Sequence, residues 1–278
     1  MRLSRRDLLR GTALTGGAAG LAGAVDGTCI TPFRLDVSRH VIAPEGTAGG
    51  APSLRVAHVS DLHLSRIGAR EEAVLHALDG LAADLIVLTG DSIDRAAGLG
   101  ALSDFLAACP AAPARLAILG NWEYKAGVDT AALDRLHERH GFELLVNRSV
   151  TLPHAGSTVR VTGLDDECHG RPDVALALTG AEPVARHLVL AHCPVAFDRR
   201  PFPAGHGADA MLSGHTHGGQ VAPAGICLVT PPGSGRYVSG WYGERGMRLF
   251  VSRGIGNSLV PVRVGSVPEL AVIDWRLA

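Results

Sequence analysis

Aromatic residues make up only 4% of this 278-residue chain, against an apolar share of 46%. Its interior must therefore be assembled from Ala, Val, Leu and Ile, and the apolar share suffices for one sizeable core. A basic excess is also missing: 26 Lys and Arg face 27 Asp and Glu, a formal net charge of -1. That balance gives no broad basic face, so no nucleic-acid binding is expected. The five cysteines (Cys29, Cys109, Cys168, Cys193 and Cys227) contain no CxxC spacing, which leaves a zinc ribbon or a thioredoxin-like motif unsupported. Most of them are expected to be buried free thiols. The apolar run near the N-terminus, "TALTGGAAGLAGA", is too short and too rich in glycine to span a bilayer.

That run does have a meaning in its setting. "SRRDLLRG" places Arg5 and Arg6 before two leucines, and Ala22-Gly23-Ala24 supplies a small-x-small site downstream. The order resembles a twin-arginine export signal. Residues 1–24 are expected to be removed, leaving residues 25–278 as one domain. The product would be soluble or peripheral, in the periplasm or at the cell exterior, with the twin-arginine machinery as a partner.

Beyond the leader, "CITPFRLDVSRHVIAP" alternates like an outer strand and "EGTAGGAPS" reads as a loop. Strand-like and helix-like runs then alternate. "LRVAHVSD", "DLIVLTGD" and "ARLAILGN" predict buried strands, separated by the helical patterns "EEAVLHALDGLAA", "ALSDFLAA" and "TAALDRLHERHG". The second half predicts strands at "ELLVN", "TVRVTGLDD", "RHLVLAH", "ADAMLSGH", "MRLFVSRG", "LVPVRVG" and "ELAVIDW". A βαβ front half with a strand-rich back half implies an α/β fold of two packed sheets with helices outside.

Several of these strands end in a polar residue able to bind metal: Asp61 and His63 in "SDLH", Asp91 in "TGD", Asn121 in "GN", His192 in "LAH", His215 and His217 in "GHTHGG". The carboxyl ends of parallel strands face one crevice, so these ends are expected to converge. Within each pair two residues apart, both side chains would point to one side of an extended segment. Seven ligands exceed what one catalytic zinc takes. They suit two divalent ions sharing a carboxylate, and the mix of nitrogen and oxygen favours Mn, Fe, Zn or Ni.

In this order, "SDLH", "TGD", "GN", "AH" and "GHTHGG" resemble the metal signature of the calcineurin-like metallophosphoesterases. The segments "GLDD", "SGRYVSG" and "VSRGIGN" resemble the bacterial, exported phosphodiesterase branch. The resemblance implies a two-sheet sandwich flanked by helices and a dinuclear phosphoesterase, with diesters favoured over monoesters. It implies that Asp61, His63 and His217 hold one metal, that Asn121, His192 and His215 hold the other, and that Asp91 bridges them. Hydroxide bound between the metals would attack phosphorus.

One position departs from the pattern. The family usually carries His after the asparagine, as the acid for the leaving oxygen, and here that residue is Trp122. Indole donates a hydrogen bond but does not titrate near neutral pH. Three readings follow: substrates with good leaving groups such as diphosphate linkages, a replacement acid, or a metal-binding scaffold without turnover. His169 in "GLDDECHGRPD" is a candidate acid, alongside Asp165 and Asp166. Asp166 and Arg253 are candidate substrate contacts. The expected substrate is a small-molecule or lipid-linked phosphoester.

Overall fold

Apolar runs with both faces covered become the strands of two six-stranded mixed sheets. The computed structural model describes residues 23, 25–44, 46–47, 50–243 and 246–277. Arg5, Arg6 and the remainder of the expected export signal lie outside these residues, Gly23 excepted.

The first sheet has the order β1 (Asp36–Ile42), β12 (Glu269–Arg276), β2 (Ser53–Val59), β3 (Leu85–Thr89), β4 (Ala114–Ile118) and β5 (Glu143–Leu144). From β2 to β5 its strands are parallel. The crossovers carry helices α1 (Ala69–Asp79), α2 (Leu99–Ala108), the short α3 (Asn121–Lys125) and α4 (Thr130–Arg139). The second sheet runs β10 (Gly240–Tyr242), β11 (Arg248–Val251), β9 (Ala210–Ser213), β8 (Arg186–Leu190), β7 (Ser157–Gly163) and β6 (Arg148–His154). Its four inner strands are parallel and both edge strands are antiparallel.

Strand alternation divides the apolar residues between two layers. Val56, Leu85, Val87, Leu116 and Ile118 meet Val159, Val161, Leu188, Leu190 and Leu212 between the sheets. Their neighbours Ala57, Val59, Ile86, Leu88 and Ala117 pack beneath the helices with Val74, Leu78, Leu102 and Phe105. Each fully buried aliphatic side chain contributes about 1.5–3 kcal/mol relative to exposure. A slip of one residue would exchange the two layers at every position, so burial fixes the register. Val59 pairs with Leu88 and Thr89 with Ile118, which aligns the strand ends that precede Asp61, Asp91 and Asn121.

The structure departs from the sequence expectations at several places. Within "CITPFRLDVSRHVIAP" the first part is helical, over Asp26–Ile30 and Thr31–Phe33, and the strand starts at Asp36; Pro32 favours such a helical start. "LVPVRVG" is a loop whose strand-like pairing is limited to the isolated bridge Val221–Val264, although Arg263 within it is buried. Pro261 has no N–H to give a ladder, and Leu259 adopts φ 62°. The edge strand β6 was not expected from its sequence, because its exposed positions dilute the apolar signal.

Candidate metal centre

The five strand ends converge, and hydrogen bonds join the two sheets there. His192 after β8 donates from Nδ1 to the Thr89 carbonyl of β3 at 2.7 Å. The His215 backbone N–H after β9 donates to both oxygens of Asp61, at 2.9 and 3.0 Å. All seven expected ligands are buried.

Strand alternation does not aim these side chains. The strands stop at Val59 and Ser213, and Asp61, His63, Asp91, His215 and His217 all lie at positive φ, between 48° and 73°. Each such residue costs on the order of 1 kcal/mol or more. Left-handed residues at alternate positions therefore present Asp61 with His63, and His215 with His217, in place of the extended segments expected. The asparagine, too, is not in a loop: it opens α3. Glycines permit the close approach, since a Cβ on Gly120 would collide with the Asp91 carboxylate and one on Gly214 with Ser60 and Asp61.

Two donor groups result, Asp61–His63–His217 and Asp91–His192–His215, each with its atoms within 4.8 Å. Asp91 Oδ2 stands 3.1 Å from His192 Nε2 and 3.8 Å from His63 Nε2, so it reaches both. Asn121 Oδ1 lies 3.2 Å from His192 Nε2. The outer nitrogens fix the tautomers: His63 Nδ1 bonds Asp94, His192 Nδ1 the Thr89 carbonyl, and His215 Nε2 the Pro232 carbonyl at 2.7 Å. Carbonyls only accept, so His192 Nδ1 and His215 Nε2 carry protons outward, while His217 Nδ1 accepts from the Arg263 guanidinium at 3.2 Å. Inside, His63 Nε2 faces His217 Nε2 at 3.0 Å, and His192 Nε2 faces His215 Nδ1 at 3.2 Å. Once deprotonated, these inner nitrogens and the Asp61 and Asp91 oxygens would offer converging lone pairs, so the donor set fits divalent ions.

The electrostatics agree. Burial would lower the His192 imidazole, yet the Asp91 carboxylate beside it holds it well above the usual range. His63 is raised in the same way, against burial, by Asp94 and Asp91. Burial, together with the neighbouring imidazoles, lowers His215 and His217. Burial would raise Asp91, but His192 and His63 pull its carboxyl below the ordinary range.

Three residues were missed by sequence reasoning. Glu123 is buried and accepts from the backbone N–H groups of Asp91 (3.1 Å), Ser92 (2.5 Å) and Gly120 (2.9 Å). It thus joins the β3 and β4 loops. A glycine followed three residues later by Glu is a capping signal that the sequence did contain. Burial and the Asp91 charge push the Glu123 carboxyl up to about 7. Asp94 orients His63, a role no local pattern announces. Lys125 places Nζ 4.5 Å over the Trp122 ring.

A cleft of about 1030 Å³ opens over the donors, lined among others by Asp91, Asn121, Trp122, Lys125, His169, His215 and His217. Trp122 meets His63 edge-on at 6.0 Å and also lines a neighbouring cleft with Arg66, Arg70 and Arg95. His169 reaches the rim with its side chain 40% exposed. Asp165 and Asp166 face the loop. Asp165 accepts from the Tyr124 hydroxyl at 2.5 Å and Arg171 N at 2.7 Å, whereas Asp166 is fully buried and accepts from Cys168 N and His169 N. Arg253 pairs with Asp36 and Glu269 at 2.5 and 3.1 Å. All five cysteines are free, but burial holds only for Cys109 and Cys193; Cys29 and Cys168 are exposed and Cys227 is intermediate.

Fold and donors together define a metal-dependent hydrolase of phosphoesters built on an α/β sandwich. A model of the calcineurin-like phosphoesterase family matches residues 54–219, and the chain belongs to that family. It is 30% identical to the uncharacterized metallophosphoesterase YkuE of Bacillus subtilis, over 99% of this chain and 98% of that one. Phosphodiesterase YaeI of Escherichia coli is 28% identical, over 98% and 99% respectively. Among solved structures, the NAD nucleotidase NadN of Haemophilus influenzae shares the fold with a TM-score of 0.50 at 14% identity, over 74% of this chain and 46% of that one. The family implies divalent metal ions. No helix among the described residues is long and apolar enough to cross a membrane.

Proposed function

We propose that the chain is an exported, dinuclear metal-dependent phosphodiesterase favouring substrates with good leaving groups. The observation that carries this reading is the placement of Asp91 Oδ2 between a nitrogen of each donor group. Asp61, His63 and His217 would hold one ion, Asn121, His192 and His215 the other, with Asp91 shared. Mn, Fe, Zn or Ni suits the donors. Bound ions would supply Lewis acidity toward phosphoryl oxygens and an activated water.

The remaining work falls to the protein. Asn121 is a neutral donor, which limits negative charge where an anionic ester must enter. The Lys125 ammonium beside the cleft offers a phosphate oxygen a positive partner. Trp122 gives the substrate an apolar wall but no titratable proton. A positioned acid is typically worth ~10²–10⁴ in rate, so its absence favours aryl esters or diphosphate linkages over simple alkyl esters. His169, whose side chain lines the rim, would be the imidazole to donate a proton where one is needed. The name of YaeI supports diester substrates, and Arg5 with Arg6 supports export. Residence beside a membrane makes lipid-linked phosphoesters the substrate class to try first.

The test uses full-length protein stripped by a chelator and assayed on bis(p-nitrophenyl) phosphate and p-nitrophenyl phosphate with each metal in turn. Restored hydrolysis with the diester faster, and its loss in Asp91→Asn, is expected. Metal binding without hydrolysis of either ester would overturn the enzyme reading. A faster monoester would overturn the diester preference.

A further inference from the structure

Beside the cleft, two thiols meet that the proposed hydrolysis does not use. Cys168 Sγ lies 3.5 Å from Cys193 Sγ, across 25 positions of sequence. Cys193 is buried and directly follows His192 at the end of β8, whereas Cys168 is exposed in the loop that carries His169. That loop is firmly held. The Tyr124 hydroxyl and Arg171 N bind Asp165, Cys168 N and His169 N bind Asp166, and Glu167 pairs with Arg200 at 2.8 Å. The Cys193 thiol aims at Asp166 Oδ1, 3.2 Å away. Gly233 closes the third side: a Cβ there would stand 2.5 Å from Cys168 Sγ and 3.0 Å from Cys193 Sγ, so only glycine leaves room for both sulfurs.

We propose that Cys168 and Cys193 form a reversible disulfide that clasps the His169 loop to the strand end bearing His192. Bond formation needs the sulfurs to approach by about 1.5 Å. The oxidant is a low-molecular-weight disulfide such as glutathione disulfide. The exposed Cys168 attacks one of its sulfurs, giving a mixed disulfide and releasing one thiol. Cys193 then attacks Cys168 Sγ and expels the second thiol. The two protein protons end on the two released thiols, and the small disulfide has accepted both electrons. The product closes a loop in the unfolded chain and holds the cleft rim in place.

Another use of the same sulfurs is a metal site with His215, whose ligand atom lies within 4.8 Å of both. The His215 nitrogen free of the other donor group is Nε2, which already donates to the Pro232 carbonyl. The trio therefore lacks a third free donor, and the disulfide is the reading argued.

The experiment poises metal-loaded, full-length protein in glutathione redox buffers. Free thiols are then trapped with N-ethylmaleimide after denaturation, and the peptides are identified by mass spectrometry. Under oxidising buffer, Cys168 and Cys193 should lose their labels together and appear as one linked peptide, lighter by two hydrogens than the separate pair. Reduction should restore both labels. The linked form should melt higher by about 5 °C or more. Cys168→Ser should abolish the linked peptide, and Cys193→Ala should leave glutathione trapped on Cys168. Stable glutathione on Cys168 of the unsubstituted protein, linkage to Cys29 or Cys227 instead, or bound zinc that keeps both thiols from oxidising would each overturn the proposal.

Discussion

Replacing Glu123 with Ala should loosen the metal centre without touching a metal ligand. Its buried carboxylate takes three backbone N–H groups, from Asp91, Ser92 and Gly120, at 2.5–3.1 Å. Alanine leaves these donors without their acceptor in a site where Asp91 and Ser92 are buried. Each unsatisfied buried donor costs about 1–3 kcal/mol, and water entering the cavity recovers part of it. The sum is roughly 3–6 kcal/mol, a large fraction of a typical folding free energy. A melting temperature lower by about 10 °C follows for a chain of this size. Because the same bonds fix the backbone of Asp91 and the cap of α3, metal stoichiometry should fall as well. Urea unfolding of metal-free protein measures the first effect, and metal analysis after dialysis the second. Glu123→Gln can keep only part of the bonding and should fall between. Stability within about 1 kcal/mol of the native protein, with full metal content, would refute the bridging role.

Trp122→His should restore a leaving-group acid: rates on alkyl phosphodiesters should rise by about 10-fold or more, with a shallower dependence on leaving-group pKa. A native enzyme already insensitive to leaving group would contradict the missing-acid reasoning. Asp94→Asn should weaken metal binding by about 10–100-fold, since oriented histidines depend on such partners, as read by competition with a chelator. His58 is fully buried against Thr89 and Phe250, and burial holds its imidazole down to about 3 from 6.5. The unfolded chain therefore binds the extra proton between those values, and stability present above pH 6.5 is lost as the pH falls. The loss from this group is about 1.4 kcal/mol per pH unit between roughly pH 6 and pH 4. Unfolding at pH 6, 5 and 4 should show that slope shrink by this amount in His58→Gln; parallel slopes would exclude the effect.

Local physics made much of the fold legible. Runs such as "DLIVLTGD" and "ARLAILGN" are buried on both faces and announce parallel strands whatever their partners. Expectation failed where local and tertiary demands part. The apolar residues of "LVPVRVG" resemble a strand, yet Pro261 and the φ of Leu259 keep the segment in a loop. Asp166 has the chemistry of a substrate contact, but its carboxylate is held beneath the loop by backbone donors.

By itself the sequence determined the donor types, their order and their attachment to strand ends, because those depend on side-chain chemistry and hydrophobic period alone. Tertiary structure decided how the donors meet. Left-handed φ at Asp61, His63, Asp91, His215 and His217 aims them, and carbonyls from distant loops set the proton positions on His192 and His215. It also brought Glu123, Asp94, Lys125 and the Cys168–Cys193 pair to the centre. The reason is that packing two sheets together brings to one place groups far apart in the chain, as with His63 and His217, 154 positions apart. No local pattern encodes such a meeting.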